Sequence, residues 1–231
     1  MLDPVGMDSE KIVARIRALC AEVRSEHVRA LLFAFLDDRP LAQAFLRAPA
    51  AKSVHHAYAG GLCEHTLSVL ELGWRVCDHY PQLDRDLITA GCVLHDIGKA
   101  RELLPDGEYT DEGRLVGHLV MTCQWIREKA ARIEGFPPEL EWRITHLVAA
   151  HHGKLEYGSP KEPVTLEALV VHALDDLDTR VSSIALIAAA SPEPGAWTDR
   201  KNLYGRKLLR PVDPGRDPRR FEGPGIYRGE D

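Results

Sequence analysis

Seven side chains that favour transition metals run from position 65 to position 175: His65, His95, Asp96, His118, His151, His152 and Asp175. Each lies in or beside a stretch with helical apolar spacing. A hairpin or a short loop motif unites residues that are close in sequence, so neither can gather these seven. A bundle of helices can, because its elements face a common interior. The chain is therefore expected to be all-α, with the seven in a cavity between central helices.

The apolar spacing carries this expectation along the chain. Ile12, Ile16, Leu19 and Val23, then Val28, Leu31, Leu32 and Phe35, predict helix over 9–37. A short helix follows at 41–46. The pair Gly60-Gly61 marks a turn, and the next helix should run over 62–80 with His65 on its apolar face. Asp84 is a candidate N-cap for a helix that carries His95 and Asp96 near its end, with Gly98 as the stop. Residues 103–113 read as loop. A long helix over 114–133 should place His118 one turn after Leu115, on the apolar side. Ile144, Leu147, Val148 and His151 share an inward face closed by Gly153, and 166–190 forms the helix that carries Asp175. No segment alternates as a strand would.

Composition sets further bounds. A chain of 231 residues with 45% hydrophobic content can build one large helical core. The division expected is a helical extension over 1–48, the main domain over 49–210, and a Pro/Gly/Arg-rich tail over 211–231 too polar to bury much. The extension is free either to cap the bundle or to pair with a second subunit. A net charge of −6 argues against a broad basic surface that would grip a duplex. Five cysteines form no CxxC pair, which points to reduced, buried thiols. The N-terminus has no signal pattern, and the most apolar stretch, near Ser183–Ala190, is too short to span a bilayer. A cytoplasmic protein without a membrane partner is expected.

A lone histidine on a helix is usually an ordinary core or surface residue. The group reads differently. His95-Asp96 stands in HDIGK, His151-His152 precedes glycine, and Asp175 stands in HALDDLD on an apolar helix face. A buried carboxylate without a partner costs several kcal/mol, ~3 or more, and a cation removes that cost. Mixed nitrogen and oxygen donors suit manganese, iron, cobalt or nickel, with zinc and magnesium admissible. The simplest partition gives one cation to His65, His95, Asp96 and Asp175. A second goes to His118, His151 and His152, with Asp96 as the bridge. Two such cations suit hydrolysis at phosphorus, although a dinuclear oxygenase uses a related scaffold. Asp96 and Lys99 are the candidate catalytic residues. Lys99 either binds a phosphate oxygen or is a solvated lysine after a helix end. His55 and His56 either touch substrate or are loop histidines without a role. Asp178 is placed to support the site from behind, and Asp176 is expected to be exposed.

The stretch from HHAYAGGLCEHT through HDIGKARELL resembles the HD-domain superfamily of metal-dependent phosphohydrolases. In particular it is similar to the catalytic domain of YhaM-type 3′→5′ exoribonucleases. YTDEGRLVGHLVM, AAHHGKLEYGSPKEPVTLEALVVHALDDLDTR and Trp197-Thr198-Asp199 extend the likeness over roughly 45–211. The resemblance implies a helical HD bundle and two divalent metals on the seven residues above, with Lys99 as the motif lysine. It also implies phosphodiester hydrolysis, with RNA or a short oligonucleotide as substrate. Members of that branch usually carry an N-terminal OB-fold, and the first 45 residues here are too few and too helical for one. Two other readings stand beside it: a cyclic-nucleotide or nucleotide phosphohydrolase, and a non-catalytic ligand-binding module.

Overall fold

A computed structural model describes residues 9–51, 58–190 and 196–210. His55, His56 and the 211–231 tail lie outside the described residues. Those described are helical, as expected. Two isolated bridges, Leu103 with Tyr109 and Trp197 with Leu209, are their only β pairing. The helices are α1 (Ser9–Ala21), α2 (Glu26–Leu36), α3 (Arg39–Phe45), α4 (Gly61–His79), α5 (Arg85–Leu94), α6 (Lys99–Glu102), α7 (Asp111–Leu115), α8 (His118–Ala130), α9 (Pro138–Ala150) and α10 (Leu166–Ala190). A 3-10 turn occupies Leu155–Tyr157. The chain divides into two compact units after Asp178, inside α10.

The first unit is built around α4 and α5. These pack on each other, α1 lies on α4, α9 on α5, and α8 on α9. Their apolar faces meet in one cluster that includes Leu62, Val69, Leu70, Ile88, Leu94, Leu147 and Val171. Ile12, Ile16, Leu31, Leu32 and Phe35 belong to the same cluster and are fully buried. The N-terminal helices therefore cap the bundle. In the second unit the main chain at Thr198 bonds the Leu208 carbonyl, and Leu208 N–H returns to the Thr198 hydroxyl.

Two stretches expected as continuous helix are broken. Residues 9–37 split between α1 and α2 because Ser25 adopts an extended backbone and its hydroxyl caps Val28 N–H. The Asp86 carboxylate then accepts from the amides of Arg24 and Ser25 at 3.1 and 2.7 Å. The break thus satisfies main-chain donors that a new helix start would leave without partners. Residues 114–133 split at Gly117, whose φ of +79° no continuing helix allows. The turn frees Leu115, which is 86% exposed rather than on the apolar side. It also sets His118 at the very start of α8.

Candidate metal centre

The seven residues are carried by separate elements. His65 comes from the first turns of α4, His95 from the C-cap of α5, and Asp96 from the turn that follows. His118 opens α8, His151 caps α9, His152 follows it, and Asp175 lies on α10. The structure brings all seven together. They form two groups whose donor atoms lie within 4.8 Å of one another: His65, His95, Asp96 and Asp175, and His118, His151 and His152.

The Nε2 atoms converge. His65 Nε2 is 3.1 Å from His95 Nε2 and 3.2 Å from Asp175 Oδ1. Asp96 lies between the groups. Its Oδ2 is 3.8 Å from His65 Nε2 and 3.5 Å from His95 Nε2. Its Oδ1 is 3.4 Å from His118 Nε2 and 3.5 Å from His151 Nε2. The two oxygens of one carboxylate therefore face different groups of ligands.

The opposite ring nitrogens are all engaged. His65 Nδ1 is 2.8 Å from Asp178 Oδ2. His95 and His151 place Nδ1 at 3.0 and 2.8 Å from the carbonyls of Cys92 and Val148, three residues earlier in each case. His118 Nδ1 is 3.0 Å from both Glu102 oxygens, and His152 Nδ1 is 3.1 Å from the Tyr157 carbonyl. These acceptors can only receive a proton, so each imidazole carries a hydrogen on Nδ1, which leaves Nε2 as the atom that would face a cation. Asp96 Oδ1 and His118 Nε2 are buried without a hydrogen-bond partner. Nε2 atoms that face one another, with orphaned buried polar atoms between them, fit divalent cations and poorly fit a packed core.

The electrostatics without a cation differ from ring to ring: His95 and His152 favour the neutral form, whereas His65 favours a proton on Nε2 that a cation would have to displace. Burial opposes charge on His65, but hydrogen bonds to Asp175 and Asp178 raise its pKa to about 9. Burial pushes His95 down to about 4 against the pull of Asp96 and Asp175, and it pushes His152 down to about 4. Burial works to raise Asp96 as well. The Lys99 and histidine charges outweigh it, and the carboxyl lies well below its usual range.

Lys99 is not a solvated lysine: its Nζ lies 2.6 Å from Asp96 Oδ2 and its side chain is nearly buried. Asp178 stands behind His65, as expected, and also accepts a short hydrogen bond from Ser68. Asp176 is half-buried rather than exposed. Sequence reasoning missed Glu102, which holds His118 by ring and main chain together. In KARELL it looks like any solvated helix acid; only its place between the HD pair and His118 could have marked it.

Residues 62–180 match the HD domain family. The chain is an HD-domain protein. This HD-domain chain is 38% identical over 193 residues to a 3′-5′ exoribonuclease YhaM of Shouchella clausii, covering 82% of this chain and 59% of that protein. It is 39% identical over 171 residues to the 3′-5′ exoribonuclease YhaM of Bacillus subtilis, covering 73% and 54%. For that of Oceanobacillus iheyensis the identity is 35% over 203 residues, covering 86% and 62%. The HD-domain chain thus spans between about half and three-fifths of the length of these curated relatives. No solved structure matches it.

Proposed function

We propose that this HD-domain chain is a metal-dependent phosphodiesterase that shortens RNA or short oligoribonucleotides from the 3′ end. The observation that carries this reading is the splay of Asp96, whose two oxygens face two converging sets of Nε2 atoms. His65, His95, Asp96 and Asp175 would hold one divalent cation, and His118, His151 and His152 a second, with Asp96 shared. Manganese, iron, cobalt or nickel suits these donors best, with zinc or magnesium admissible. When bound, such a pair supplies Lewis acidity toward phosphoryl oxygens and lowers the pKa of water.

The chain's own residues do the rest. The five Nδ1 contacts hold the imidazoles in one tautomer and one orientation, so the site needs no rearrangement when substrate arrives. Lys99 keeps one ammonium hydrogen on Asp96 and can offer another to a non-bridging phosphate oxygen, which offsets negative charge as the bond breaks. His55 and His56, outside the described residues, are the further candidates for substrate contact. The relatives' printed activity supports RNA as the substrate class. Residues 49–210 are the functional domain in this reading, 1–48 an extension packed on it, and 211–231 a tail. All five cysteines are free thiols, and no helix among the described residues is long and apolar enough to cross a membrane. Both support a cytoplasmic enzyme.

The test is a substrate panel with manganese-loaded protein: a linear oligoribonucleotide, a cyclic dinucleotide, and nucleoside mono- and triphosphates. Mass spectrometry should find the linear oligomer shortened from its 3′ end, and Asp96→Ala should abolish turnover. Consumption of only the cyclic or mononucleotide substrates would replace the reading with a nucleotide phosphohydrolase. Protein that takes up no transition metal would return it to a binding module.

A further inference from the structure

The loop that follows the last histidine pair is built unlike an ordinary surface loop. Lys154 is exposed, and the turn Leu155–Tyr157 presents two large side chains, Leu155 at 63% and Tyr157 at 60% exposure. Exposed residues of this kind are usually mobile, yet here the main chain is tied down at several points. Lys154 N–H bonds the His152 carbonyl at 3.0 Å, Tyr157 N–H the Lys154 carbonyl at 3.0 Å, and Gly158 N–H the Leu155 carbonyl at 3.0 Å. The Ser159 hydroxyl lies 2.7 Å from the Lys161 carbonyl and 3.0 Å from that of Ala149. At the loop's start Gly153 takes a φ of +81°, and a Cβ there would fall 2.3 Å from the His172 ring. That ring is itself held at 2.7 Å by the His151 carbonyl.

The loop also touches the metal centre directly. The Tyr157 carbonyl is the acceptor that fixes His152 Nδ1, so the tyrosine stands one imidazole outward from the second group of ligands. The Lys154 ammonium lies 5.5 Å from the centre of the Tyr157 ring. Its other contact, Glu156 at 3.3 Å, is a solvent-exposed pair of the kind that contributes little and exchanges readily. An exposed aromatic ring beside a cation, on a tied-down main chain whose carbonyl holds a ligand histidine, has the chemistry that single-stranded nucleic acid recognises. The ring stacks on a base and the ammonium meets a phosphate.

We propose that Lys154 and Tyr157 form a nucleotide subsite in which Tyr157 stacks on a base of the RNA strand next to the scissile bond and Lys154 binds the adjoining phosphate. This deepens the proposed function and rests on it. The loop holds a substrate-positioning pair, outside the metal ligands and Lys99. Because stacking accepts any base, the subsite favours single strands without choosing a sequence.

Binding and turnover are measured together. The probe is a short fluorescent oligoribonucleotide, in natural form and with one abasic nucleotide at each of the last four positions. Fluorescence anisotropy with metal-free protein reads Kd, and manganese-loaded protein reads KM and kcat. Tyr157→Ala should raise Kd and KM by about five- to a hundredfold, with kcat little changed and thermal melting unmoved. Tyr157→Phe should keep wild-type values. One abasic position should weaken the wild type by a similar factor and cost Tyr157→Ala nothing further. Lys154→Gln should flatten the dependence of log Kd on log salt by about 0.7, the share of one phosphate on a single strand. Unchanged Kd and KM in Tyr157→Ala, with the wild type cleaving RNA, would overturn the subsite alone. A wild type that neither binds nor cleaves the oligomer would overturn the RNA reading and the subsite together.

Discussion

Glu102 commits both carboxylate oxygens to His118. One accepts from the main-chain amide at 3.0 Å, and both lie 3.0 Å from Nδ1. Burial alone would raise its pKa, but the His118 bonds hold it below the usual carboxylate value. Removing an orienting partner of this kind costs a metal site roughly 10- to 100-fold in affinity or activity. Glu102→Ala should therefore lower the metal content of dialysed protein, from the proposed two ions per chain toward one, and reduce turnover by a similar factor. Glu102→Gln, which keeps an acceptor oxygen, should fall between. Full metal content in the alanine variant would mean that His118 needs no such support. The seven donors were legible in the sequence because imidazole and carboxylate are chemically conspicuous among apolar neighbours. Of their anchors only Asp178 was. The carbonyls of Cys92, Val148 and Tyr157 belong to the main chain, and no residue type announces them.

At the scale of elements, periodicity located the long helices; it missed the short α6, where Gly98 was expected to stop the chain's helix, and α7, which begins inside the expected loop at 103–113, and it failed where a side chain or a glycine broke a helix. Neither the Ser25 cap with its Asp86 partner nor the turn at Gly117 alters the apolar count on either side. A tie between elements was likewise invisible. The Lys129 ammonium on α8 lies 2.9 Å from the Ala34 carbonyl at the end of α2 and 2.8 Å from Asp38, the N-cap of α3. It also sits 5.1 Å from the centre of the Phe35 ring. The Lys129 hydrogen bond is the main cause that holds the Asp38 carboxyl below its ordinary value. A depressed folded-state pKa gives stability that is present above the unfolded carboxyl pKa and lost as pH falls through the folded one. Asp38→Asn keeps the cap and removes the charge. It should melt below the wild type at pH 7, and the gap should narrow as pH falls below the ordinary carboxylate range. A gap of equal size at both pH values would assign the effect to packing instead.

At the scale of the molecule, the sequence division at residue 48 does not separate two cores. Ile12, Ile16, Leu31, Leu32 and Phe35 lie in the cluster that supports α4 and α5. Each such side chain contributes about 1.5–3 kcal/mol when buried, against a total stability of about 5–15 kcal/mol for a typical domain. A chain begun at residue 49 should therefore lose cooperative melting and bind hydrophobic dye, with its near-ultraviolet circular dichroism flattened. Cooperative melting with metal uptake in that truncated chain would show the first helices to be dispensable. Sequence spacing could not reveal this, because an apolar helical face looks the same whether it covers its own bundle or another subunit. The long reach of the ligand set has a consequence in time. His65 is made early and Asp175 late, so a polypeptide still being translated has an incomplete centre. Such a nascent chain cannot close its set of donors until the final carboxylate has left the ribosome.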